Sequence, residues 1–207
     1  MQPYFFPYPG YFELMSSVDL FVFLTDVQYV KRSWINRNHI CHPNGNSTYI
    51  TVPVSKHKQK DSIENISISK EWNWLVDKHI KCFKNFYGNN IDEELIKFYK
   101  TLKRHNKLCP MLIDSLRWMS NYLGINLKID LSSNYPSYLK GEERIIELCK
   151  IVGATTYVNL PGGGSLYKKS NFFKEGINLE FMPLTTKPKY SILDLCLNEK
   201  NKGHFCF

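Results

Sequence analysis

Several catalytic and metal-binding patterns are missing from this chain of 207 residues. Its six cysteines form no C-x-x-C pair, and its six histidines form no H-x-H or H-x-x-x-H pattern. The sequence therefore supports neither a zinc site nor a dithiol redox site, and we expect no metal. A G-x-S-x-G elbow is also absent, which removes the usual anchor of an α/β-hydrolase triad.

Long apolar segments are missing too. No run of about 18 apolar residues is present, so we expect no membrane span and no membrane partner. No charged segment leads into a small-residue cleavage site, so we expect no signal peptide. The expectation is a cytoplasmic protein whose cysteines are all free thiols, namely Cys41, Cys82, Cys109, Cys149, Cys196 and Cys206.

Aromatic residues and positive charge are abundant. The chain has 13 tyrosines and 13 phenylalanines, and 27 Lys and Arg against 19 Asp and Glu give a net charge of +8. This charge suits an anionic partner such as a nucleotide, although a solvated lysine-rich surface would account for it as well. Nucleic acid is not the expected partner, because the basic residues do not line one face of a helix.

The second half of the chain alternates between helical and strand-like patterns. The predicted helices cover 112–125, 141–154 and 170–177, and the predicted strands cover 126–133, 155–160 and 179–184. Loops of only a few residues join them. This alternation predicts an α/β fold with a Rossmann-like, mostly parallel sheet.

The first half contributes one more strand of the same kind, LFVFL at 20–24, which is apolar throughout as in a strand buried on both faces. Strands at 47–54 and 62–69, which could be antiparallel, and helices at 72–87 and 93–103 are then predicted. We expect a single domain, 1–207, in which residues 45–110 form a cap or insertion.

The opening stretch QPYFFPYPGY is too rich in proline for a helix or a central strand. If a strand precedes Gln2, the stretch is a strand-to-helix turn that leads into a helix at 11–17. Such a turn lies at the carboxyl end of its strand, where ligands bind in open α/β sheets. Gln2 and Tyr4 are therefore candidate contacts. An aromatic plug without a ligand is the alternative.

The loop DVQYVKRSWINRN, residues 26–38, gives the strongest indication of a binding site. Arginine and asparagine suit planar recognition of phosphate or amide groups, and tyrosine and tryptophan offer a stacking face. A solvated basic loop is the alternative. The candidate substrate contacts are Gln28, Tyr29, Lys31, Arg32, Trp34, Asn36, Arg37 and Asn38. By contrast, Lys56, Lys58 and Lys60 are expected only to raise the surface charge of an exposed loop.

A glycine-rich loop, PGGGSLY at 161–167, follows another predicted strand. Its backbone N–H groups could bind phosphate, which makes Gly162, Gly163 and Tyr167 candidates. It matches neither the G-x-G-x-x-G nor the Walker pattern, and a plain turn is equally compatible. We expect residues 2–11, 26–38 and 161–167 to border one pocket at the carboxyl edge of the sheet.

His79 is the best-placed candidate for a general base, although a lone histidine on a helix is more often structural. Asp26 is the second candidate. Neither residue belongs to a motif that fixes its role.

With these motifs the sequence resembles the WbqC-like family of bacterial proteins. The resemblance covers nearly the whole chain and is carried by QPYFFPYPGYFELM, VDLFVFLTDVQYVKRSWINRN, YITVPV, HIKCFKNFY, LPGGGSLY and YSILDL. The family occurs in surface-polysaccharide gene clusters, so the resemblance implies a role in making or modifying unusual sugars. The family motifs fall on Gln2, Pro3, Tyr4, Pro7, Gly10, Tyr11, Asp26, Gln28, Lys31, Arg32, Trp34, Asn36, Arg37, Asn38, His79, Pro161, Gly162, Gly163, Leu166 and Tyr167.

The function we expect is transfer of an acyl or aminoacyl group to the amine of a nucleotide-linked amino sugar. The expected donor is a thioester of coenzyme A or of an acyl carrier protein, no cofactor is required, and a homodimer is compatible with the sequence. The roles would be base for His79 or Asp26, phosphate binding for Arg32, Arg37 and the glycine loop, and stacking for Tyr4, Tyr29 or Trp34.

Two alternatives remain open. An adenylate-forming or nucleotidyl-transferring ligase would share the strand, turn and helix at the start, but the His-x-x-His of such enzymes is missing from that turn. A non-catalytic module that binds nucleotide sugars or glycans would need the same aromatic and basic surface without a base.

Overall fold

The computed structural model of the chain describes residues 1–89, 91–185 and 190–198. Helices and short strands alternate along most of it. The helices are α1 (Pro9–Ser16), α2 (Trp72–Tyr87), α3 (Glu93–Thr101), α4 (Leu108–Tyr122), α5 (Gly141–Ile151), α6 (Lys169–Lys174) and α7 (Ile192–Leu197). The strands are β1 (Leu20–Phe23), β2 (Arg37–Cys41), β3 (Ser47–Thr51), β4 (Lys128–Leu131), β5 (Thr156–Asn159) and β6 (Asn178–Phe181).

The helix boundaries follow from local chemistry. Helix α1 begins with Pro9, which has no N–H to leave unsatisfied at the first helical position. Helix α3 begins after Asp92, whose carboxylate accepts a hydrogen bond from the Leu95 N–H at 2.9 Å. Helix α2 ends at Gly88, which adopts a φ of +88° that residues with a side chain rarely reach.

The strands form three two-stranded sheets within the described residues. Strand β1 pairs with β4 in parallel, with Leu20 opposite Lys128 and Phe23 opposite Leu131. Strand β5 pairs with β6 in parallel, from Thr156 opposite Asn178 onward. The remaining sheet is the antiparallel hairpin of β2 and β3.

These sheets confirm the α/β class and the alternation predicted for the second half of the chain. The predicted antiparallel arrangement near 47–54 is also present, as strand β3. The finer prediction of one Rossmann-like sheet is not confirmed, because β1–β4 and β5–β6 are separate pairs in the described residues.

Two local predictions differ from the structure. Residues 62–69 do not form a strand; they contain the 3₁₀ turn Ile63–Asn65 and make only isolated bridges, such as Val54 with Ile68. The Asn65 amide donates to the Ser62 hydroxyl at 2.7 Å, and such local side-chain bonds compete with a ladder. Strand β2 was not predicted, and its first two residues, Arg37 and Asn38, had been assigned to the loop 26–38.

The aromatic opening stretch is packed inside the protein. Phe5 and Phe6 are fully buried and lie against Trp72 of α2 and Tyr99 of α3, with the Phe6 and Tyr99 rings stacked at 5.6 Å. The middle block 45–110 thus contributes to the same main core as the first turn. Its description as a cap or insertion stays a prediction.

Hydrogen bonds hold this buried turn in a strained conformation. Phe6 has a φ of +42°, which is uncommon for a residue with a side chain. Its carbonyl accepts hydrogen bonds from Asn38 Nδ2 and from the Ser191 hydroxyl, both at 2.7 Å. Asn38 Nδ2 also lies 3.3 Å from the Phe5 carbonyl. Asn38, predicted as a substrate contact, therefore has a structural role in the core.

We expect Asn38→Ala to lower the free energy of unfolding by about 1–3 kcal/mol, because a buried donor to two carbonyls is lost. Urea denaturation monitored by circular dichroism measures this change. The control is Asn46→Ala in the exposed turn of the β2–β3 hairpin, which should stay within about 0.5 kcal/mol of the original protein. Equal losses in the two variants would show that Asn38 does not hold the Phe5–Phe6 turn in place.

Candidate functional site

A cavity of about 350 Å³ opens beside the loop that follows β1. The loop between β1 and β2 forms one wall, and the segment after β3 forms the other. We call this cavity the basic pocket. It is lined by Tyr29, Lys31, Arg32, Asn36, Val54, Ser55, Lys56 and His57. The first four of these residues belong to the predicted substrate-binding set, so the structure brings part of that set together.

Pairing with residues 59–63 holds the first wall in place. Gln28 forms an antiparallel bridge with Ser62, and its side-chain amide donates to the Gln59 carbonyl at 2.8 Å. The Tyr29 N–H donates to the Asp61 carbonyl at 2.9 Å. Gln28, a predicted substrate contact, thus uses its amide N–H to anchor the loop.

Arg32 gives the rim of the pocket an unusual backbone. Its φ is +57°, in the left-handed region, which costs on the order of 1–3 kcal/mol for a residue with a side chain. Strained residues of this kind are concentrated at binding and active sites. The turn places the two exposed cations Lys31 and Arg32 at the pocket.

Asn36 carries an unpaired buried oxygen. Its side-chain Nδ2 donates to the Val52 carbonyl at 2.9 Å, and its backbone carbonyl accepts from the Val52 N–H at 2.7 Å. The first bond fixes the side chain, and the second fixes the backbone that carries it. Among the described residues, the buried Oδ1 has no hydrogen-bond partner. Such an atom is uncommon in proteins and calls for a donor from a ligand or from solvent.

His57 supplies a second unpaired acceptor. Its Nδ1 lies 2.9 Å from the Ser55 carbonyl, which can only accept, so Nδ1 carries the hydrogen. In the neutral ring Nε2 then holds the lone pair. Nε2 is also buried and has no hydrogen-bond partner in the described part of the chain. The ring packs edge-on against Tyr29 at 5.1 Å.

The pocket therefore combines two buried acceptors with three exposed cations, Lys31, Arg32 and Lys56. Burial raises the pKa of Tyr29 to about 12, although the charge of Arg37 lowers it, so the phenol keeps its proton at neutral pH. A ligand with N–H or O–H donors on one part and negative charge on another would complement this arrangement.

The residues after β3 that form the second wall of the basic pocket were not predicted as ligand contacts from the sequence. Ser55 and His57 were not predicted, and Lys56 was expected only to add surface charge. Lys56 is exposed, as expected, but it lines the basic pocket. The one available signal was the basic run SKHKQK directly after a predicted strand.

Two predicted contacts, Trp34 and Arg37, lie in a neighbouring aromatic cluster. The Trp34 ring is 6.0 Å from Tyr8 and 5.6 Å from His39, and the Arg37 guanidinium lies 4.5 Å from the centre of the Tyr49 ring. Neither Trp34 nor Arg37 is among the residues that line the basic pocket. Their contact with a ligand stays a prediction.

The predicted candidates of the opening turn, Gln2 and Tyr4, are partly buried. The Gln2 carbonyl accepts a hydrogen bond from the Tyr11 hydroxyl at 2.7 Å, and the Tyr4 ring lies 5.6 Å from that of Tyr11. Burial raises the pKa of Tyr4. Both residues therefore contact Tyr11 of α1, and their contacts with a substrate stay predictions.

Asp26, a candidate base, is held in a polar cluster where the segments after β1 and β4 meet. Its carboxylate accepts a hydrogen bond from the Ser132 hydroxyl and lies 3.1 Å from the guanidinium of Arg144, which is 4% exposed. Arg144 also donates to the Ser132 and Tyr135 carbonyls at 2.9 and 2.5 Å. The segments after β1 and β4 therefore meet, and the partly buried ion pair joins α5 to them.

The glycine-rich loop forms the 3₁₀ turn Pro161–Leu166 after β5. A Cβ on Gly163 would come within 2.7 Å of the Asn159 amide, so a side chain there would displace Asn159. The Tyr167 ring packs edge-on against Tyr157 at 5.6 Å. Gly162, Gly163 and Tyr167 are not among the basic-pocket residues, nor are residues 2–11, so a pocket shared by all three loops stays a prediction.

His79, the other candidate base, lies on α2 in the aromatic core. Its Nδ1 is 2.8 Å from the Tyr99 hydroxyl, and its ring packs against Trp72 and Phe83. Burial lowers the pKa of His79 to about 4, with a smaller contribution from the charge of Lys78. His79 is not among the residues of the basic pocket, and its role as a base stays a prediction.

The chain matches a known protein family. The model of the WbqC-like protein family matches residues 2–201. The chain belongs to this family. It is also 29% identical, over 216 residues, to the uncharacterized protein Rv1507c of Mycobacterium tuberculosis, and the match covers 96% of this chain and 91% of that relative. The search of solved structures gave no match.

The structure also addresses the expectations about membranes, metals and cysteines. No helix in residues 1–89, 91–185 and 190–198 is long and apolar enough to cross a bilayer. The same residues contain no group of three or more His, Cys, Asp or Glu side chains that could hold a metal ion. Cys41, Cys82, Cys109, Cys149 and Cys196 are free, and Cys206 lies outside the described residues.

Acid stability tests the placement of His79. The unfolded histidine has a pKa near 6.5 and the folded one about 4, so between these values only the unfolded state binds the proton. This difference lowers stability as the pH falls through that window, by up to about 3 kcal/mol. We expect His79→Gln to lose less stability than the original protein between pH 7 and pH 4.5, as measured by urea denaturation.

The control for this prediction is His42→Gln, because His42 lies in the turn between β2 and β3 and is only partly buried, with its ring against Phe86. Equal changes in the pH dependence of both variants would show that the effect does not come from the buried position of His79. An unchanged pH dependence in His79→Gln would show that His79 is not held neutral by burial.

Proposed function

We propose that the protein transfers an acyl or aminoacyl group to the amine of a nucleotide-linked amino sugar, and that the basic pocket binds this acceptor. The observation that carries the proposal is the presence of two unpaired, buried acceptors, Asn36 Oδ1 and His57 Nε2, in a pocket with three cations. The family's association with surface-polysaccharide genes supports an acceptor of this class.

The two acceptors favour a ligand group with more than one N–H or O–H. Asn36 cannot rotate its amide to offer a donor without losing its bond to the Val52 carbonyl. His57 is held in one tautomer by the Ser55 carbonyl. A protonated amine carries three N–H donors, and an amine beside a sugar hydroxyl also carries several, so a group of this kind has a donor for each acceptor. A carboxylate or phosphate in the same position would meet two lone pairs and be disfavoured.

The cations suit the nucleotide part of such a ligand. Lys31, Arg32 and Lys56 are exposed around the pocket, where they can approach the two phosphates of a sugar nucleotide. Tyr29 forms an aromatic wall beside His57. The cations are exposed whereas the two acceptors are buried, which suits a ligand whose phosphates face solvent and whose amine enters the pocket.

The proposed reaction assigns His57 the role of general base. The free amine attacks the carbonyl carbon of a thioester, a C–N bond forms, and the C–S bond breaks. The amine proton passes to His57 Nε2 and then to the departing thiolate, so charge and atoms balance. The Nδ1–H bond to Ser55 would stabilise the imidazolium formed in this step. The proposed donor is a thioester of coenzyme A or of an acyl carrier protein.

A non-catalytic nucleotide-sugar module is the second candidate. The two bases predicted from the sequence favour this candidate, because neither is free to accept a proton from a substrate. Asp26 is paired with Arg144, and His79 lies in the core. Such a module would use the same pocket for binding only.

Affinity for a UDP-linked amino sugar tests the binding part of the proposal. We expect Lys56→Ala to weaken binding about tenfold, because a charge-assisted hydrogen bond to phosphate contributes about 1.5–3 kcal/mol, in part offset by exposure to solvent. The matched control is Lys60→Ala, since Lys60 is also exposed in the same segment but does not line the pocket. Calorimetric titration at about 0.15 M salt measures both. Equal effects would indicate diffuse attraction by the surface charge.

Turnover distinguishes the transferase from the binding module. We expect His57→Gln to weaken binding of the amino sugar nucleotide by no more than about tenfold, because the glutamine carbonyl is still an acceptor, but to form product about a hundred- to ten-thousandfold more slowly, which is typical when a general base is lost. Mass spectrometry of the N-acylated product, with acyl-coenzyme A as the donor, measures the rate. Binding without product in the original protein, for coenzyme A and carrier-protein donors alike, would favour the non-catalytic module.

A further inference from the structure

Strand β3 presents an open backbone edge on the side away from β2. Along an antiparallel pair, residues whose backbone groups point at the partner strand alternate with residues whose groups point outward. Just beyond the β2–β3 ladder, the Val52 N–H donates to the Asn36 carbonyl at 2.7 Å, which fixes this alternation. The residues of β3 that point their N–H and carbonyl groups outward are therefore Ser47, Tyr49 and Thr51.

The corresponding outer edge of β2 is covered. The Cys41 N–H donates to the carboxylate of Asp194, on α7, at 2.7 Å. The His39 carbonyl accepts a hydrogen bond from the Ser191 N–H at 2.9 Å. On β3, by contrast, the outward N–H and carbonyl groups bond to no other described residue.

The open edge of β3 has defined ends. Beyond one end, the Pro53 carbonyl accepts from the Ser69 N–H at 2.9 Å, and the Ser55 N–H donates to the Ser67 carbonyl at 2.8 Å. Beyond the other end, the chain turns back into β2. The opening is thus the five residues of β3 itself, which is a common length for a strand.

The sequence of this edge lacks the features that usually prevent an edge strand from pairing with another chain. Such strands typically carry lysines or other charges, a proline or a bulge. Residues 38–55 contain no Lys, Arg, Asp or Glu, although 22% of the chain is charged. The prolines of this segment, Pro43 and Pro53, lie outside β3, and the ladder with β2 is regular over all five residues. Strand β3 can therefore accept a further strand.

The aromatic cluster around Trp34 and Arg37 lies beside the open edge. The Tyr49 side chain is 55% exposed, its ring is 5.6 Å from that of His39, and the His39 ring is 5.6 Å from that of Trp34. The Arg37 guanidinium lies over the Tyr49 ring. Tryptophan, tyrosine and arginine are the residues that most often dominate the binding energy of protein interfaces. The cluster therefore favours a protein partner at this edge.

The edge is complementary to itself. In an antiparallel pair of two β3 strands with Tyr49 opposite Tyr49 of the second copy, Ser47 would lie opposite Thr51, and every outward residue would meet an outward residue. A two-fold axis would pass through the tyrosine pair. Tyr–Tyr and Ser–Thr are favourable cross-strand pairs, and no like charges would meet, although each copy has a net charge of +8.

We propose that two copies of the chain associate through the open edge of β3 and form one four-stranded antiparallel sheet, with Tyr49 on the two-fold axis. Because the paired edges are short, the contact is small and the dimer should be weak and concentration-dependent. The interface would adjoin the candidate site, since Arg37, which lies over Tyr49, directly follows Asn36 of the basic pocket.

Charge substitutions at Tyr49 test both the surface and its symmetry. Tyr49→Lys would place two ammonium groups opposite one another in the dimer, and Tyr49→Glu two carboxylates, so each variant alone should dimerise about tenfold more weakly or worse. An equimolar mixture of the two should recover the dimer, because an ammonium then faces a carboxylate. Sedimentation velocity from about 1 to about 300 µM measures the association. The matched control is Tyr138→Lys, a fully exposed tyrosine before α5, which should dimerise like the original protein.

Amide hydrogen exchange in the original protein provides a test that needs no variant. The Tyr49 N–H points outward and should exchange about tenfold more slowly, or slower still, at concentrations where the dimer forms. The Ile50 N–H points at β2 and should exchange at the same rate in monomer and dimer. Three results would overturn the proposal: an original protein that stays monomeric over the whole range, dimerisation that the Tyr49 variants leave unchanged, or a mixture of these variants that stays monomeric.

Discussion

The position of β2 against the buried aromatic turn determines the geometry of the candidate site. Asn38 and Asn36 are two residues apart, so they face the same side of the extended chain. Asn38 uses its amide to hold the Phe5–Phe6 turn, while Asn36 is fixed to Val52 and leaves its oxygen unpaired. The Phe5 N–H also donates to the Trp34 carbonyl, which ties the loop before β2 to the core. The pocket therefore adjoins a loop that is anchored to the aromatic core.

This arrangement stabilises unfavourable local features in the loop between β1 and β2. Arg32 has a left-handed backbone, and two buried polar atoms lack partners among the described residues. Each of these features is unfavourable alone. They persist because residues 27–29 are bonded to 59–63 and Asn36 is bonded to Val52. A pre-formed site of this kind loses little further order when it binds a ligand.

Much of the fold could be predicted because its helices and buried strands have clear periodicity. Helix α2 was predicted with its observed bounds, 72–87. The segment 62–69 was misjudged, because its isoleucines suggested a strand whereas Ser62 and Asn65 bond locally. Strand β2 was missed because its inward positions include a polar residue, Asn38, whose partners lie more than 30 residues away.

The candidate site could be predicted only in part, for a similar reason. The composition of residues 26–38 indicated a binding loop, and four of its predicted contacts line the basic pocket. The role of His57 could not be predicted, because it depends on how the ring is held. Its Nδ1 lies beside the Ser55 carbonyl, and its ring packs against Tyr29, which is distant in the sequence. Conversely, His79 looked like a base in its sequence, but tertiary packing places it in the core.

The most direct test of the account is a crystal structure of the protein with a UDP-linked amino sugar bound. The account predicts the sugar amine within hydrogen-bond distance of both Asn36 Oδ1 and His57 Nε2, with the phosphates beside Lys31, Arg32 or Lys56. A sugar nucleotide bound at the glycine-rich loop 161–167, with the basic pocket unchanged, would contradict it.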